Sequence, residues 1–253
     1  MHLPEIDKFA NLKSPLHSFD PRLKIISFSI LIFSIVLLQD IKGAFIGLIL
    51  AVVLVFLSKI PFSFIFIHLR WVLLFIAVLF LIISLTVPGS LLLKLSFLSV
   101  SREGVKLSFL ISLRAIGAVL FIFPMIGTTK FNVTLTALQK IGVPNKLIQL
   151  FMFTYRYIFL FLDEGKRIFI AANSRGWTKK TNISSLNVMG NLVGMLLVRS
   201  FERTEYLRDA MVSRGYDGRL RILDEFKLSS KDFIKTSLII IIAILLHLFG
   251  WIQ

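Results

Sequence analysis

Four long stretches without a charged side chain constrain this chain more than any other feature of its sequence. They span residues 25–38, 44–57, 71–87 and 238–249. The hydrocarbon core of a bilayer is about 30 Å thick and requires roughly 20 mostly apolar residues in a helix, and shorter stretches are tolerated when flanking residues reach the interface. Each stretch continues at one or both ends through Ser, Gly or a flanking residue. The pattern therefore predicts a polytopic helical membrane protein.

The composition agrees with a membrane protein and disfavours a water-soluble enzyme. Hydrophobic residues make up 56% of the chain and charged residues 17%, whereas soluble domains have roughly 45–50% and about 25%. The 253 residues include no cysteine. Disulfides, thiolate metal ligands and cysteine nucleophiles are therefore excluded from this sequence.

The order of apolar and polar segments predicts an all-α fold. We expect about five transmembrane helices, with a cytoplasmic helical domain inserted before the last one. The predicted regions are a cytoplasmic arm over 1–22, four spans over 23–127, cytoplasmic helices over 128–232 and a final span over 233–253. Residues 61–70 suit an interfacial segment, since His68 and Arg70 interrupt their apolar pattern. Residues 90–104 suit an external loop with a short element that is either amphipathic or a hairpin.

The distribution of basic residues predicts the orientation in the cell membrane. Residues 128–235 hold 18 of the 29 Lys and Arg residues, and cytoplasmic segments of membrane proteins carry an excess of these residues. We therefore expect this region and the N-terminus in the cytoplasm and the C-terminus outside. The first 20 residues show no signal peptide. A net charge of +15 would favour a nucleic-acid surface in a soluble protein, but here topological charge bias explains it, so no nucleic-acid partner is expected.

A seven-residue motif occurs twice, 39 residues apart. Residues 171–177 and 210–216 both follow the pattern Ala-x-x-Ser-Arg-Gly-aromatic. Each copy closes a helical pattern, and Gly is the usual residue where a helix ends in a left-handed conformation. Capping explains the glycines but requires neither an Arg nor an aromatic residue. A second interpretation is that Arg175 and Arg214 are paired anchors for acidic sites on a partner, because a guanidinium binds a carboxylate through two parallel hydrogen bonds.

The sequence resembles the T component, the transmembrane coupling subunit, of energy-coupling factor transporters, and within it the CbiQ-like members of cobalt and nickel importers. The matching segments are residues 14–24, 127–144, 154–157 and 190–218. The paired Ala-Arg-Gly motifs of this family correspond to two triplets with Ser in place of the commoner Ala. These are Ser174, Arg175 and Gly176, and Ser213, Arg214 and Gly215.

The resemblance implies a coupling subunit that catalyses no reaction itself and holds no cofactor. Two cytoplasmic ABC ATPase subunits would dock on the two triplets, and a separate CbiM-like S component would bind the substrate in the membrane. Arg199, Glu202, Arg203 and Tyr216 would support the coupling. No Gly-x-x-x-x-Gly-Lys-Ser/Thr motif occurs in the sequence, so ATP hydrolysis is expected on the partner subunits. The expected cargo is cobalt or nickel, and the alternative is a vitamin such as biotin.

Arg114 lies inside the predicted fourth span, where a charge costs at least about 2.5–3.5 kcal/mol. A structural role, a pairing with a partner subunit and a position on a substrate path are all open for it, as is a shifted span in which its side chain reaches the outer interface. A rival function is an intramembrane lipid-modifying enzyme, but the spans at 23–39, 43–58, 71–87 and 233–251 have no Asp, Glu or Lys away from their ends and offer no general base. The four histidines have no second ligand at metal-binding spacing apart from Glu5 after His2, so no metal site is expected.

Overall fold

The computed structural model describes most of the chain. The described residues are residue 7 and residues 9–95, 98–178, 180, 182–218, 226 and 228–251. The predicted N-terminal arm and the predicted cytoplasmic region are thus described in part, and His2 and Glu5 lie outside the described residues.

Eight helices and one two-stranded hairpin form in the described part of the chain. In chain order they are α1 (Pro21–Leu37), α2 (Ile41–Ser58), α3 (Phe62–Thr86), β1 (Leu91–Leu95), β2 (Leu98–Ser101), α4 (Arg102–Gly127), α5 (Phe131–Ile141), α6 (Asn145–Ser174), α7 (Ile183–Val212) and α8 (Ser230–Trp251). The strands pair antiparallel, with Leu95 opposite Leu98. Apart from this hairpin, which falls in the segment where a short amphipathic or hairpin element was predicted, the all-α prediction is confirmed.

Among the described residues, three helices are long and apolar enough to cross a membrane: α2 with 18 residues, α3 with 25 and α4 with 26. A polytopic helical membrane protein is therefore confirmed as the fold class. The other two predicted spans correspond to α1, which has 17 residues, and α8. Membrane crossing by these two helices, and with it the total of five spans, stays a prediction.

Helix α3 begins earlier than the expected third span. Residues 61–70 were expected to form an interfacial segment, but the helix starts at Phe62 and runs without interruption to Thr86. No Pro or Gly separates the two parts, and His68 satisfies its ring nitrogen locally at the carbonyl oxygen of Phe64, 2.8 Å away. A polar side chain alone does not end a helix, because backbone hydrogen bonding continues past it.

The chain divides into two compact units. Residues 1–137 and 224–253 form the first unit, and residues 138–223 form the second. In the first unit, α4 packs against α1, α2 and α3, and α8 packs against α1 and α2. The second unit consists mainly of α6 and α7.

Ile35 of α1 is central to the packing of the first unit. It is fully buried, and a Cβ built on Gly47 of α2 would lie 2.8 Å from its Cδ1 atom. A Cβ on Gly117 of α4 would overlap the same Cδ1 atom. Small residues at helix contacts let transmembrane helices approach closely, so these two glycines make room for one isoleucine between three helices.

A buried lysine joins the beginning of α1 to the end of α4. Lys24 is 1% exposed, and its Nζ atom donates hydrogen bonds to Thr128 Oγ1 at 2.9 Å and Thr129 Oγ1 at 2.7 Å. Since a buried ammonium is costly without hydrogen-bond partners, the two hydroxyls have a clear structural purpose. Two segments that carry the family resemblance, 14–24 and 127–144, therefore meet in the folded chain.

Candidate functional site

The first arginine motif forms the end of α6. The backbone N–H groups of Arg175 and Trp177 both donate to the carbonyl oxygen of Ala172 at 3.1 Å, and Gly176 N–H donates to Asn173 at 3.0 Å. Gly176 has φ +83°, which a residue with a Cβ adopts only at a cost. The bond from Trp177 back to Ala172 makes this a Schellman-type helix end.

The second motif repeats this geometry at the end of α7. Arg214 and Tyr216 N–H both donate to the carbonyl oxygen of Met211 at 3.0 Å, Gly215 N–H donates to Val212 at 2.9 Å, and Gly215 has φ +81°. The sequence repeat is therefore a repeat of structure, hydrogen bond by hydrogen bond. The prediction that both motifs are helix ends is confirmed.

The serine of each motif is satisfied within its own helix. Ser174 Oγ donates to the carbonyl oxygen of Ile170 at 3.1 Å, and Ser213 Oγ donates to that of Asp209 at 2.8 Å. These bonds occupy the hydroxyl hydrogens and leave the arginines as the groups that extend from each end. A Ser in place of Ala therefore changes nothing that the arginine presents.

Arg175 and Arg214 are both exposed. Within the described part of the chain, neither guanidinium has a salt bridge or a side-chain hydrogen bond. Arg side chains have five donors and stay charged at every physiological pH. Each helix end thus presents an unneutralised positive charge with a donor geometry that suits carboxylates.

The two helix ends differ in what holds them in place. Tyr216 donates its hydroxyl to Gln149 Oε1 at 2.8 Å, and Gln149 Nε2 donates to the carbonyl oxygen of Gly218 at 2.9 Å. Trp177 instead packs on Phe169, with ring centroids 6.2 Å apart, and its indole N–H is buried with no hydrogen-bond partner among the described residues. The end of α7 is therefore tied to the start of α6, whereas the end of α6 is held by aromatic packing.

Helices α6 and α7 run antiparallel along their length. Tyr216, beyond the end of α7, bonds to Gln149 at the start of α6, Arg199 and Glu164 form a salt bridge near the middle, and Trp177 shares a cavity with Met189 near the start of α7. Helix α7 has 30 residues, so it is about 45 Å long at 1.5 Å per residue. The two motif arginines therefore lie at opposite ends of the helix pair, on the order of 40 Å apart.

Three further residues named from the family resemblance lie on α7 between the two ends. Arg199 bonds to Glu164, Glu202 is exposed, and Arg203 lines a groove of about 330 Å³ between α6 and α7. The structure therefore brings Arg199 and Arg203 to the contact between the helices. Gln149 is a residue that sequence reasoning missed, since its bond to Tyr216 crosses 67 residues.

Among the described histidines, His17 and His68 have local hydrogen-bond partners. His17 contacts Ser14 Oγ at 2.7 Å and the carbonyl oxygen of Phe9 at 2.9 Å, and His247 lines an apolar groove with residues of α1. Among the described residues no group of three His, Cys, Asp or Glu side chains is placed to hold a metal ion.

Comparison with known proteins gives consistent results over most of the chain. Residues 12–223 match the CbiQ family, described as cobalt transport protein. An uncharacterised protein of Methanocaldococcus jannaschii is 30% identical, with 96% of this chain and 85% of that protein covered. The energy-coupling factor transporter transmembrane protein EcfT of Clostridium kluyveri is also 30% identical, with 87% and 86% covered. A fused cobalt transport protein CbiMQ of Methanocorpusculum labreanum is 30% identical over 50% of this chain and 21% of that protein.

Proposed function

The chain belongs to the CbiQ family of cobalt transport proteins, and on that premise we propose that it is the transmembrane coupling subunit of an energy-coupling factor importer. Relatives named EcfT align with this chain over most of their own length. Three helices of the described residues are also long and apolar enough to cross a membrane. In this role the chain catalyses no reaction. It transmits the conformational change of ATPase subunits to a membrane subunit that binds the substrate.

The observation that carries the proposal is the duplication of one helix end. Two ends with the same hydrogen bonds present one exposed arginine each, at opposite ends of an antiparallel pair. Two equal sites held about 40 Å apart suit two equal partners. We therefore assign one ATPase subunit to Arg175 and the other to Arg214, with Ser174, Gly176, Ser213 and Gly215 shaping the two ends.

The chemistry of the contact follows from the charge at each end. An exposed guanidinium without an internal ion pair is available for a carboxylate on a partner, and a bidentate bond fixes the orientation as well as the distance. Truncation of one side of such a pair at an interface typically costs about 2–5 kcal/mol. An arginine that only complements the helix dipole contributes about 0.3–1 kcal/mol. The free-energy cost of removing the arginine therefore distinguishes a docking residue from one that only complements the helix dipole.

Substitution of the two arginines tests the proposal. We expect Arg175→Ala or Arg214→Ala to weaken ATPase binding by tens- to thousands-fold and to reduce uptake strongly, while the protein still inserts. The double variant should recover neither ATPase on co-purification. Arg214→Glu should be worse than Arg214→Ala if the partner site is acidic, and Arg214→Lys should rescue only in part, because lysine lacks the planar fork.

Arg167→Ala is the matched control, since Arg167 is an exposed arginine within α6 and away from both ends. It should leave ATPase recovery unchanged. If the double alanine variant still recovers both ATPases and supports normal uptake, the arginines are only part of two helix ends and the docking assignment is wrong.

For the cargo we propose cobalt or nickel, delivered by a CbiM-like S component. The family description and the fused CbiMQ relative are named for cobalt transport. The EcfT relatives carry no metal in their names, which keeps a vitamin importer as the second candidate. The test is uptake of labelled cobalt, nickel and biotin by cells that express the chain with its ATPases and S component. Saturable metal uptake without biotin uptake is expected, and biotin uptake alone would replace the first assignment by the second.

A further inference from the structure

Arg114 is a charged residue in the middle of an apolar helix of the first unit, and the proposed function does not use it. It stands near the middle of α4, 12 positions after the start at Arg102 and 13 positions before the end at Gly127. At 1.5 Å per residue it is about 18 Å and 20 Å from the two ends. Since the bilayer core is about 30 Å thick, a helix of this length places Arg114 near the midplane of the membrane.

No carboxylate of the described residues is available to neutralise Arg114. The nearest acidic residue along α4 is Glu103, about 16 Å away along the helix. Asp20 and Asp40 stand at the N-caps of α1 and α2, and Asp232 lies in the first turn of α8. Within the described part of the chain Arg114 has no salt bridge, and its Nε atom is covered without any hydrogen-bond partner.

Arg114 lies on the packed side of α4 instead of the lipid side. At 100° per residue it lies about 20° from Phe121 and about 40° from Leu110, at the edge of the buried face that also carries Gly117. Its side chain is half-buried, so part of it remains accessible from outside the unit. Lipid phosphates are about 15 Å from the midplane, a distance that no single side chain spans. This distance favours a partner inside the membrane over a lipid headgroup.

We propose that Arg114 binds a carboxylate on a transmembrane helix of the substrate-binding membrane subunit, an inference that rests on the proposed function. Charge is complementary in such a pair, and a carboxylate in the membrane interior is itself unfavourable without a cation. A bidentate bond would satisfy both groups and fix the rotation of the partner helix about its axis. The contact selects membrane partners, whereas the arginine motifs select ATPases.

Three variants of the full chain test this inference, each expressed alone and together with the ATPases and the membrane subunit. Arg114→Leu should leave the unfolding temperature of the isolated chain in detergent unchanged or higher, because it removes an unpaired charge from an apolar helix. In the complex it should retain both ATPases but recover at least tenfold less of the membrane subunit. Arg114→Lys should recover an intermediate amount. Lys106→Leu, the control, removes a charge from an exposed position on the same helix and should recover the wild-type amount.

Two results would overturn the inference. A lower unfolding temperature of isolated Arg114→Leu together with normal recovery of the membrane subunit assigns the arginine to internal structure. Normal assembly with lost uptake assigns it to an anionic substrate on its path. A charge exchange between the two subunits is the decisive experiment. The Arg114→Glu variant should recover the membrane subunit only when that subunit carries an Asp or Glu to Arg change at one intramembrane position. Failure at every such position contradicts the pairing.

The proposed function fails in a different way. If the wild-type chain recovers neither ATPases nor a membrane subunit, the coupling role is wrong and this inference falls with it. If recovery of the membrane subunit is lost only in the Arg114 variants and ATPase recovery is kept, the result bears on the Arg114 pairing and not on the coupling role.

Discussion

At the scale of single residues, two glycines determine where each motif arginine is presented. Gly176 and Gly215 have φ values of +83° and +81°, and no described residue other than the chain neighbours has an atom within 4 Å of a Cβ built on either one. Space is therefore not what restricts these positions. The backbone conformation restricts them, because a left-handed conformation costs an L-residue roughly 1–2 kcal/mol.

The first prediction concerns these glycines. Gly176→Ala and Gly215→Ala should each destabilise the second unit by about 1 kcal/mol and weaken ATPase recovery at the altered end. Gly190→Ala is the matched control, since Gly190 lies inside α7 with open space around it. There alanine should stabilise by about 0.5–1 kcal/mol. Thermal unfolding in detergent measures both signs, and equal effects at the three positions would contradict the helix-end explanation.

Sequence reasoning identified these glycines because the same motif occurs twice, and the second copy supports the interpretation of the first. One Ser-Arg-Gly triplet is compatible with chance, but two copies that each close a helical pattern predict one conformation twice. The partners of the aromatic residues were not predictable in this way. Tyr216 bonds to Gln149, and a single Gln in a helical pattern gives no periodic signal that points to a residue 67 positions away.

At the scale of elements, the pairing of α6 with α7 depends on few polar contacts. The described ones are the Arg199–Glu164 salt bridge and the two hydrogen bonds of Gln149. Many apolar side chains of both helices are exposed, including Leu150, Ile170 and Val198. A contact at one end of such a pair therefore influences that end more than the other.

The second prediction uses this asymmetry. Gln149→Leu and Tyr216→Phe should each cost about 0.5–1.5 kcal/mol, and they should increase amide hydrogen exchange at the end of α7. ATPase binding that depends on Arg214 should weaken, and binding that depends on Arg175 should stay unchanged. Measuring recovery of the ATPases in an Arg175→Ala or Arg214→Ala background separates the two ends.

Thr154→Val is a suitable control for that experiment, because its hydroxyl bonds only to the carbonyl oxygen of Leu150 within α6. Equal losses at both ends in the Gln149→Leu variant would mean that the helix pair responds as one body, and the prediction of a local effect would be wrong.

Element boundaries were predictable where the chain carries a strong local signal. Gly142 and Pro144, two residues that typically end or begin helices, separate α5 from α6, and Gly142 has φ +117°. The start of α3 was not predictable, because hydropathy reports where a chain meets lipid and not where its backbone becomes helical. His68 and Arg70 lower the apolar signal of residues 61–70 without affecting the helix that contains them.

At the scale of the whole molecule, the orientation of the chain in the membrane is predicted only from the distribution of its charged residues. The uneven distribution of Lys and Arg predicts residues 128–235 on the cytoplasmic side and residues 90–104 outside. Membrane helices were predictable from the sequence because every helix that crosses a bilayer needs roughly 20 mostly apolar residues. Contacts within the first unit join side chains that are distant in sequence, such as Lys24 and Thr129, and no local pattern reports such contacts.

The third prediction tests the orientation in a chain that has no cysteine. Lys180→Cys should not react with an impermeant thiol reagent in intact cells but should react after permeabilisation. Arg102→Cys, at an exposed position at the start of α4, should react in both conditions. Reaction of Lys180→Cys in intact cells would show that the predicted orientation is inverted.

The antiparallel pair of α6 and α7 also fixes a length. A fully hydrogen-bonded helix keeps its rise of about 1.5 Å per residue, so the span between the two arginines cannot shorten while both helices stay folded. If two ATPases dock at these ends as proposed, they cannot approach each other by compressing the pair. They can only tilt it or pivot one helix across the other near the Arg199–Glu164 contact. A tilt of about 10° over roughly 40 Å moves one end by about 7 Å relative to the other, more than one helical turn. Because the pair cannot shorten, an approach of the two ATPases towards each other would have to rotate the helix pair.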